Sequence, residues 1–288
     1  MQTKRLLRRF NLRARKGLGQ HFLIDESVIG LVASAAELAP TDIVIEVGPG
    51  LGVLTRELAR QAGYLLTVEL DSRLAAILQK TLAPFSNVTI INDDILQIKP
   101  EVLLQKVPAG FPGLVEGTLS YKVVANLPYY ITSPVLRHFL EAALRPGLIV
   151  VMVQREVAEA IAAEPGKMSV LSVGVQFYGK PEIAGCVPAR CFYPVPEVDS
   201  AILKVRVYPE PPLAVSDEAG FFRLVRAGFA AARKQLANSL SQGLNVPKAG
   251  VLSLLEEAGI ASTRRAETLT LEEWAELWRV FTQTKDEW

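Results

Sequence analysis

One junction constrains the fold of this chain more than any other: Ile43-Val44-Ile45-Glu46-Val47 runs directly into Gly48-Pro49-Gly50-Leu51-Gly52. A short apolar run ending in closely spaced glycines reads as a strand that breaks into a tight turn, where the backbone can approach a ligand closely. Behind it Leu54, Leu58, Ala59 and Ala62 recur on one face of a helical pattern. Strand, glycine turn and helix in that order begin an α/β nucleotide-binding sheet. The spacing is G-x-G-x-G, whereas the dinucleotide fingerprint is G-x-G-x-x-G, which counts against NAD. Glu46 would repel a pyrophosphate but tolerate an ammonium group. S-adenosylmethionine, with an amine, a sulfonium and no phosphate, meets both conditions; a plain tight turn is the alternative.

Three further strand ends carry chemistry. Tyr64 to Leu70 ends in Val68-Glu69-Leu70-Asp71, with Glu69 about twenty residues past the first glycine, where a carboxylate can accept both ribose hydroxyls of an adenosine. Asp71 immediately precedes Ser72 to Leu82 and reads as a helix cap. Val88 to Ile91 leads into Asn92-Asp93-Asp94-Ile95, where Asp94 is the better candidate to accept from an adenine amine while Ile95 packs on the ring. Tyr121 to Ala125 leads into Asn126-Leu127-Pro128-Tyr129. An amine conjugated to an aromatic ring has a delocalised lone pair, so methylating it requires acceptors that orient it and a face that holds the base. Asn126 offers the side-chain carbonyl and Tyr129 the face, while Pro128 stiffens a turn that can aim the Leu127 or Pro128 carbonyl at the same amine. The same residues also suit an ordinary strand-to-loop turn.

At this point the chain resembles the bacterial small-subunit ribosomal RNA adenine dimethyltransferases, relatives of the large-subunit enzymes of macrolide resistance. The resemblance runs through Lys16-Gly17-Leu18-Gly19-Gln20-His21-Phe22-Leu23, Glu46 to Gly52, Val68 to Asp71, Asp94 and Asn126 to Tyr129. It continues in Val151 to Glu156, Phe192 to Ser200, Phe229 to Lys234 and Arg265 to Leu269. His21 stands where the family commonly has Asn, and Ala231-Ala232 where it often has Gln-Arg. The resemblance implies a Rossmann-like class I methyltransferase sheet with a smaller C-terminal α-helical domain. It implies S-adenosylmethionine held by His21, Phe22, Leu23, Glu46, Gly48, Gly50, Gly52, Glu69, Leu70, Asp94, Ile95 and Asn126. It also implies dimethylation of two adjacent adenines in a small-subunit rRNA hairpin loop, carried by Asn126, Leu127, Pro128, Tyr129 and Phe192. Phe192 leads the Pro194-x-Pro196 loop and would sandwich the adenine against Tyr129; a core role is its alternative.

The boundaries expected are a basic arm with the first cofactor motif over 1–24, a methyltransferase domain over 25–208 and a helical RNA- or ribosome-binding domain over 209–288, set off by Pro209-Glu210-Pro211-Pro212. Strands are expected at Leu148 to Gln154, Val170 to Phe177 and Ala201 to Val207. Helices are expected at Asp217 to Ala232, Arg233 to Gln242, Lys248 to Ala258 and Leu271 to Phe281, with Ser216 capping the first and Thr270 with Glu273 the last. Trp274 and Trp278, four apart, read as core. Cys186 and Cys191 read as free thiols, His138 as a packed or capping residue.

The net charge of +1 hides an uneven layout. The first sixteen residues hold seven Lys and Arg and no acid. Arg8, Arg9, Arg13, Arg15, Lys16, Arg223, Arg233 and Lys234 are the expected phosphate contacts. The arm is expected to serve RNA alone, leaving cofactor affinity largely independent of residues 1 to 13. No uninterrupted apolar run reaches membrane-spanning length. The expected setting is a cytoplasmic monomer acting on small-subunit rRNA and the immature small ribosomal subunit, with neither membrane nor metal. A large-subunit rRNA dimethyltransferase, a DNA adenine methyltransferase and a non-catalytic ribosome-assembly factor are the rival readings.

Overall fold

The structure, a computed structural model, describes all residues except 1, 13, 16, 18, 115–119, 232 and 285–288. In chain order, α1 (Gln2–Arg9) precedes a short strand β1 (Phe22–Leu23) and α2 (Glu26–Ala35). There follow β2 (Ile43–Val47), α3 (Val53–Gln61), β3 (Tyr64–Glu69), α4 (Ser72–Thr81), β4 (Val88–Asn92), α5 (Pro100–Leu104), β5 (Tyr121–Asn126), α6 (Thr132–Leu140) and β6 (Leu148–Gln154). Next come α7 (Arg155–Ile161), α8 (Val170–Tyr178), β7 (Gly179–Val187), β8 (Phe192–Tyr193) and β9 (Ser200–Val207). The chain continues in α9 (Glu218–Gly228), α10 (Leu236–Leu244), α11 (Lys248–Glu257) and α12 (Leu271–Thr284).

The main sheet has the order β4-β3-β2-β5-β6-β9-β7. Strands β2 to β6 pair in parallel, and β9 runs antiparallel to β6, from Leu148↔Arg206 to Gln154↔Ser200. From β2 the chain moves to β3 and β4 on one side and returns to β5 on the other. That reversal opens a crevice beyond the carboxyl end of β2, between its two neighbours. Strands covered on both faces read as continuous apolar runs, and every residue of β2 is buried. The helical face expected after the glycine turn is present: Leu54, Leu58, Ala59 and Ala62 pack in one core cluster with Val44, Leu65 and Val124.

Two compact units result, Met1–Ala158 with Pro181–Val207, and Glu159–Lys180 with Tyr208–Trp288. The expected boundary is therefore corrected for 159–180, and the expected strand at Val170 to Phe177 is a helix. Its valines suit a strand, but Ser169 and Ser172 form a reciprocal capping box that starts α8. Phe177 and Tyr178 then join Phe221 and Phe222 of α9 in an aromatic cluster. Burial of those rings outweighs local β-propensity. The cap of α9 is Asp217, which accepts from the Gly220 N–H at 2.9 Å, in place of Ser216. Thr270 and Glu273 do cap α12 reciprocally. Trp274 and Trp278 are buried core residues.

Helix α10 approaches α9 through a glycine: a Cβ on Gly243 would stand 2.5 Å from the Ala227 Cα. Gly243→Ala is expected to destabilise by about 1–3 kcal/mol through overpacking. Gly174→Ala in α8, where a Cβ would meet nothing within 4 Å, should be neutral or stabilising by up to about 1 kcal/mol. Thermal unfolding of both variants checks the pair; equal effects would show that the close approach does not hold α10 against α9.

Candidate active site

The crevice is built around a carboxylate. Glu69 ends β3, and its Oε2 accepts from the Gly50 N–H at 3.0 Å while its Oε1 accepts from the Asp71 N–H at 2.9 Å. Burial pushes its carboxyl above the ordinary range, and the two N–H bonds oppose that push. Gly48 and Gly50 hold φ of +67° and +59°, a left-handed conformation that side-chain-bearing residues rarely adopt. No atom lies within 4 Å of where a Gly48 Cβ would stand, so the backbone is approachable there. Gly52 differs. It precedes α3 outside the cavity lining, and a Cβ on it would stand 2.7 Å from Leu78 Cδ2, so its bare backbone serves packing.

Beneath the turn, Glu46 is 1 % exposed and accepts from the Thr67 hydroxyl at 3.0 Å. Burial first, with the neighbouring Glu69 charge adding to it, pushes its carboxyl up to about 7. Asp71 behaves as expected of a cap: it accepts from the Arg73 N–H at 3.0 Å, and the Arg73 guanidinium holds its carboxyl below the usual range. At the end of β4, Asp94 Oδ1 accepts from the Leu96 N–H at 3.0 Å, and Asp93 Oδ1 accepts from the Asp94 N–H at 2.8 Å.

These groups line a cavity of about 300 Å³. Of the residues expected to act on cofactor or substrate, all but Gly52 are on its wall: His21, Phe22, Leu23, Glu46, Gly48, Gly50, Glu69, Leu70, Asp94, Ile95, Asn126, Leu127, Pro128, Tyr129 and Phe192. Among the described residues its ionisable side chains besides imidazole and phenols are all carboxyls, with no Lys or Arg. Such a lining suits hydroxyls, amines and cationic groups and disfavours phosphate. The approachable turn and a buried carboxyl poised near neutrality fit an adenosine ligand that carries an ammonium group.

At the other end of the cavity Asn126 closes β5. Its Nδ2 donates to the His21 main-chain carbonyl at 3.2 Å, which fixes the amide so that Oδ1 is left to accept. The Tyr129 hydroxyl meets Ser200 Oγ at 2.8 Å, so its ring is held from its far end. His21 stacks near that ring, with centroids 6.0 Å apart and planes at 21°. Its Nδ1 lies 2.8 Å from the Pro194 carbonyl, an acceptor only, so Nδ1 carries the proton of that bond. The imidazole that replaces an amide is therefore engaged with the proline loop. Pairing of β1 with β8, Leu23 opposite Phe192, joins the same two segments. Phe192 is 2 % exposed: it packs in the core cluster with Leu23, Met152 and Ile202, as its core alternative expects, and is also on the cavity wall.

The expected phosphate contacts are divided between the two units. Arg8 and Arg9 are exposed on α1, and Arg15 Nη1 lies 3.6 Å from Asp71. Arg13 and Lys16 lie outside the described residues. Arg223, Arg233 and Lys234 are exposed in the helical unit. His138 is packed, its Nε2 3.0 Å from the Ile98 carbonyl, and both cysteines are free thiols. Sequence reasoning missed Thr3, Leu51, Leu74 and Tyr130 on the cavity wall. Leu51 stood inside the glycine motif and Tyr130 directly after the Asn-Pro-Tyr turn; for Thr3 and Leu74 no local signal exists. Among the described residues no cluster fit to hold a metal occurs, and no helix is long and apolar enough to cross a membrane.

Comparison with known proteins places this chain in a family of RNA-modifying enzymes. Residues 11–283 match the family model for ribosomal RNA adenine dimethylase. The chain is 51 % identical to ribosomal RNA small subunit methyltransferase A of Dehalococcoides mccartyi, over 98 % of this chain and 93 % of that one. It is 44 % identical to the protein of the same name from Moorella thermoacetica, over 96 % of each. Among solved structures, the 23S rRNA methyltransferase ErmE is similar with a TM-score of 0.69 and 30 % identity, covering 91 % of this chain and all of that one. A dimethyladenosine transferase from Plasmodium falciparum shares the fold, with a TM-score of 0.76 at 24 % identity, over 92 % of this chain and 98 % of that one.

The buried Glu46 carboxyl makes stability depend on pH. Its folded value of about 7 lies above the ordinary 4.5, so between those values the folded protein binds the extra proton and stability falls as pH rises. Above about pH 7 the full cost is present, at most about 3 kcal/mol. Glu46→Gln, which keeps an acceptor for Thr67, should raise the melting temperature of the ligand-free protein by several degrees at pH 8 and leave it unchanged at pH 4. Identical melting curves at both pH values would remove the cost assigned to this group.

Proposed function

The chain belongs to the ribosomal RNA adenine dimethylase family, and from that membership we propose that it dimethylates the N6 amines of two adjacent adenines in a small-subunit rRNA hairpin loop, using S-adenosylmethionine, as the immature small subunit matures. The observation that carries the proposal is the sharing of one cavity by Asn126, with its amide set by the His21 carbonyl, and by the glycine turn tied to Glu69. Relatives named for the small subunit, at 41–51 % identity, support that substrate over the large-subunit alternative. The reading fits a cytoplasmic protein that acts as a monomer.

Glu69 would accept the ribose hydroxyls, Asp94 the adenine amine and Glu46 the ammonium group, while Leu70 and Ile95 flank the adenine. When bound, S-adenosylmethionine supplies a sulfonium methyl that needs no further activation. The chain's part is then placement, which can supply up to about 7–11 kcal/mol when reacting atoms are held in line. Tyr129 and Phe192 hold the flipped base by its faces, at roughly 1–3 kcal/mol per stacked base. Asn126 Oδ1 accepts from N6 and stabilises the positive charge that develops there. A main-chain carbonyl takes the second amine hydrogen. Pro128 O already accepts from the Ile131 N–H at 3.1 Å, which favours Leu127 O for that role. The proton leaves to solvent, and exchange of spent cofactor allows the second transfer. Arg8, Arg9, Arg15, Arg223, Arg233 and Lys234, with Arg13 and Lys16 beyond the described residues, would contact phosphates without reading bases.

Asn126→Ala should lower methyl transfer by about 10²-fold or more with a far smaller change in cofactor affinity. Glu69→Ala should weaken binding of both S-adenosylmethionine and its demethylated product, because an ionic acceptor of two hydroxyls is lost. The decisive assay offers immature small subunits and naked large-subunit RNA to the purified protein and maps modified adenines by mass. Adjacent dimethyladenines in the small-subunit RNA alone are expected; modification of the large-subunit RNA instead, or of neither, would overturn the proposal.

A further inference from the structure

The basic N-terminal segment does more than its charge suggests. Thr3, Leu6 and Leu7 of α1, with Phe10 just past its end, recur at the spacing of one helical face, and Arg5, Arg8 and Arg9 are exposed. An isolated helix of eight residues is not stable in water, so tertiary packing must supply its stability. Leu6 and Leu7 are 8 % and 6 % exposed and cluster with Phe22, Leu51 and Leu74, with Phe10 packed against them. Asn11, at φ +47°, ends the helix in left-handed backbone, and the Leu12 N–H returns to the Leu7 carbonyl at 2.9 Å. At the other end the buried Thr3 hydroxyl donates to the Leu23 carbonyl at 2.7 Å, and Thr3 itself lines the cavity.

We propose that α1 is a wall of the cofactor cavity, and that retention of the cofactor by Thr3, Leu6 and Leu7 is a function of this segment separate from the attraction of its arginines for RNA. The inference rests on the cofactor reading given above. Its partners are the parts of the cavity that would hold the cofactor. Leu51 lies within the glycine turn, and the Phe22 ring stands 3.4 Å from where a Gly50 Cβ would be. Leucines seated on Phe22 and Leu51 thus support the turn from outside, while the Thr3 bond fixes β1 beside Asn126 through Leu23 and His21. An arm that served phosphates alone would have no reason to bury two leucines and a threonine hydroxyl. The expectation that cofactor affinity is independent of the first thirteen residues is accordingly reversed.

Calorimetric titration of the full chain with S-adenosylmethionine and with its demethylated product, in the absence of RNA, tests this. Leu6→Ala with Leu7→Ala should weaken both by about tenfold or more, through lost burial and a looser turn. Thr3→Val, which keeps the packing and removes the donor, should weaken them by about threefold. Arg5→Ser, Arg8→Ser and Arg9→Ser combined should leave cofactor affinity unchanged and weaken rRNA binding. Thr3→Val guards against a simple folding defect in the leucine variant, and circular dichroism verifies both. If wild type binds the cofactor and the leucine and threonine variants bind it equally well, or if only the arginine variant loses affinity, the wall is not one. Failure of wild type itself to bind would sink the cofactor reading instead.

Discussion

The buried carboxylate of Glu69 is the interaction on which the rest of the site depends. Its two bonds, to the N–H groups of Gly50 and Asp71, tie the turn after β2 to the turn after β3 across adjacent strands. Glycines give that turn its left-handed freedom, and freedom without a tether would leave an unfixed loop. The carboxylate supplies the tether and remains at the cavity wall with lone pairs to spare. Glu46, one strand over and deeper, plays a different part: it accepts from the Thr67 hydroxyl and ties no main-chain turn, and its burial pushes the carboxyl up to about 7.

The Asn126 end of the cavity is organised by different means. Asn126 is oriented by a main-chain carbonyl of the segment around β1, and that segment is fastened to the β8 loop by strand pairing and by the His21 imidazole. Three stretches of chain far apart in sequence thus converge within a few ångströms, each satisfying a polar group of another. Such mutual satisfaction holds Oδ1 of Asn126 and the ring of Tyr129 in place before any substrate arrives, which is what a reaction governed by placement requires.

The near-neutral net charge is consistent with this arrangement. Acids are drawn into the cavity wall, where they suit a cationic ligand, and exposed arginines appear on α1 and in the helical unit. A formal sum mixes two populations of charge that occupy different parts of the chain.

The sequence by itself determined the sheet and most of the cavity wall. Strand, glycine turn and helix spacing, acids at strand ends and the Asn-Pro-Tyr turn are local signals, and in a parallel sheet all strand ends of one polarity fall on one edge. It was blind where distant segments decide the outcome. Val170–Tyr178 carries the residues of a strand yet forms a helix, because a capping box and an aromatic cluster shared with α9 outweigh propensity. Gly52 belongs to the same motif as Gly48 and Gly50, but only the position of Leu78 reveals that it serves packing. The first helix reads as a charged arm because its arginines outnumber its leucines; that those leucines are buried against Phe22, Leu51 and Leu74 is fixed by tertiary contact alone. Local pattern specifies what a segment can bury, while the partner that buries it exists only once the chain has closed on itself.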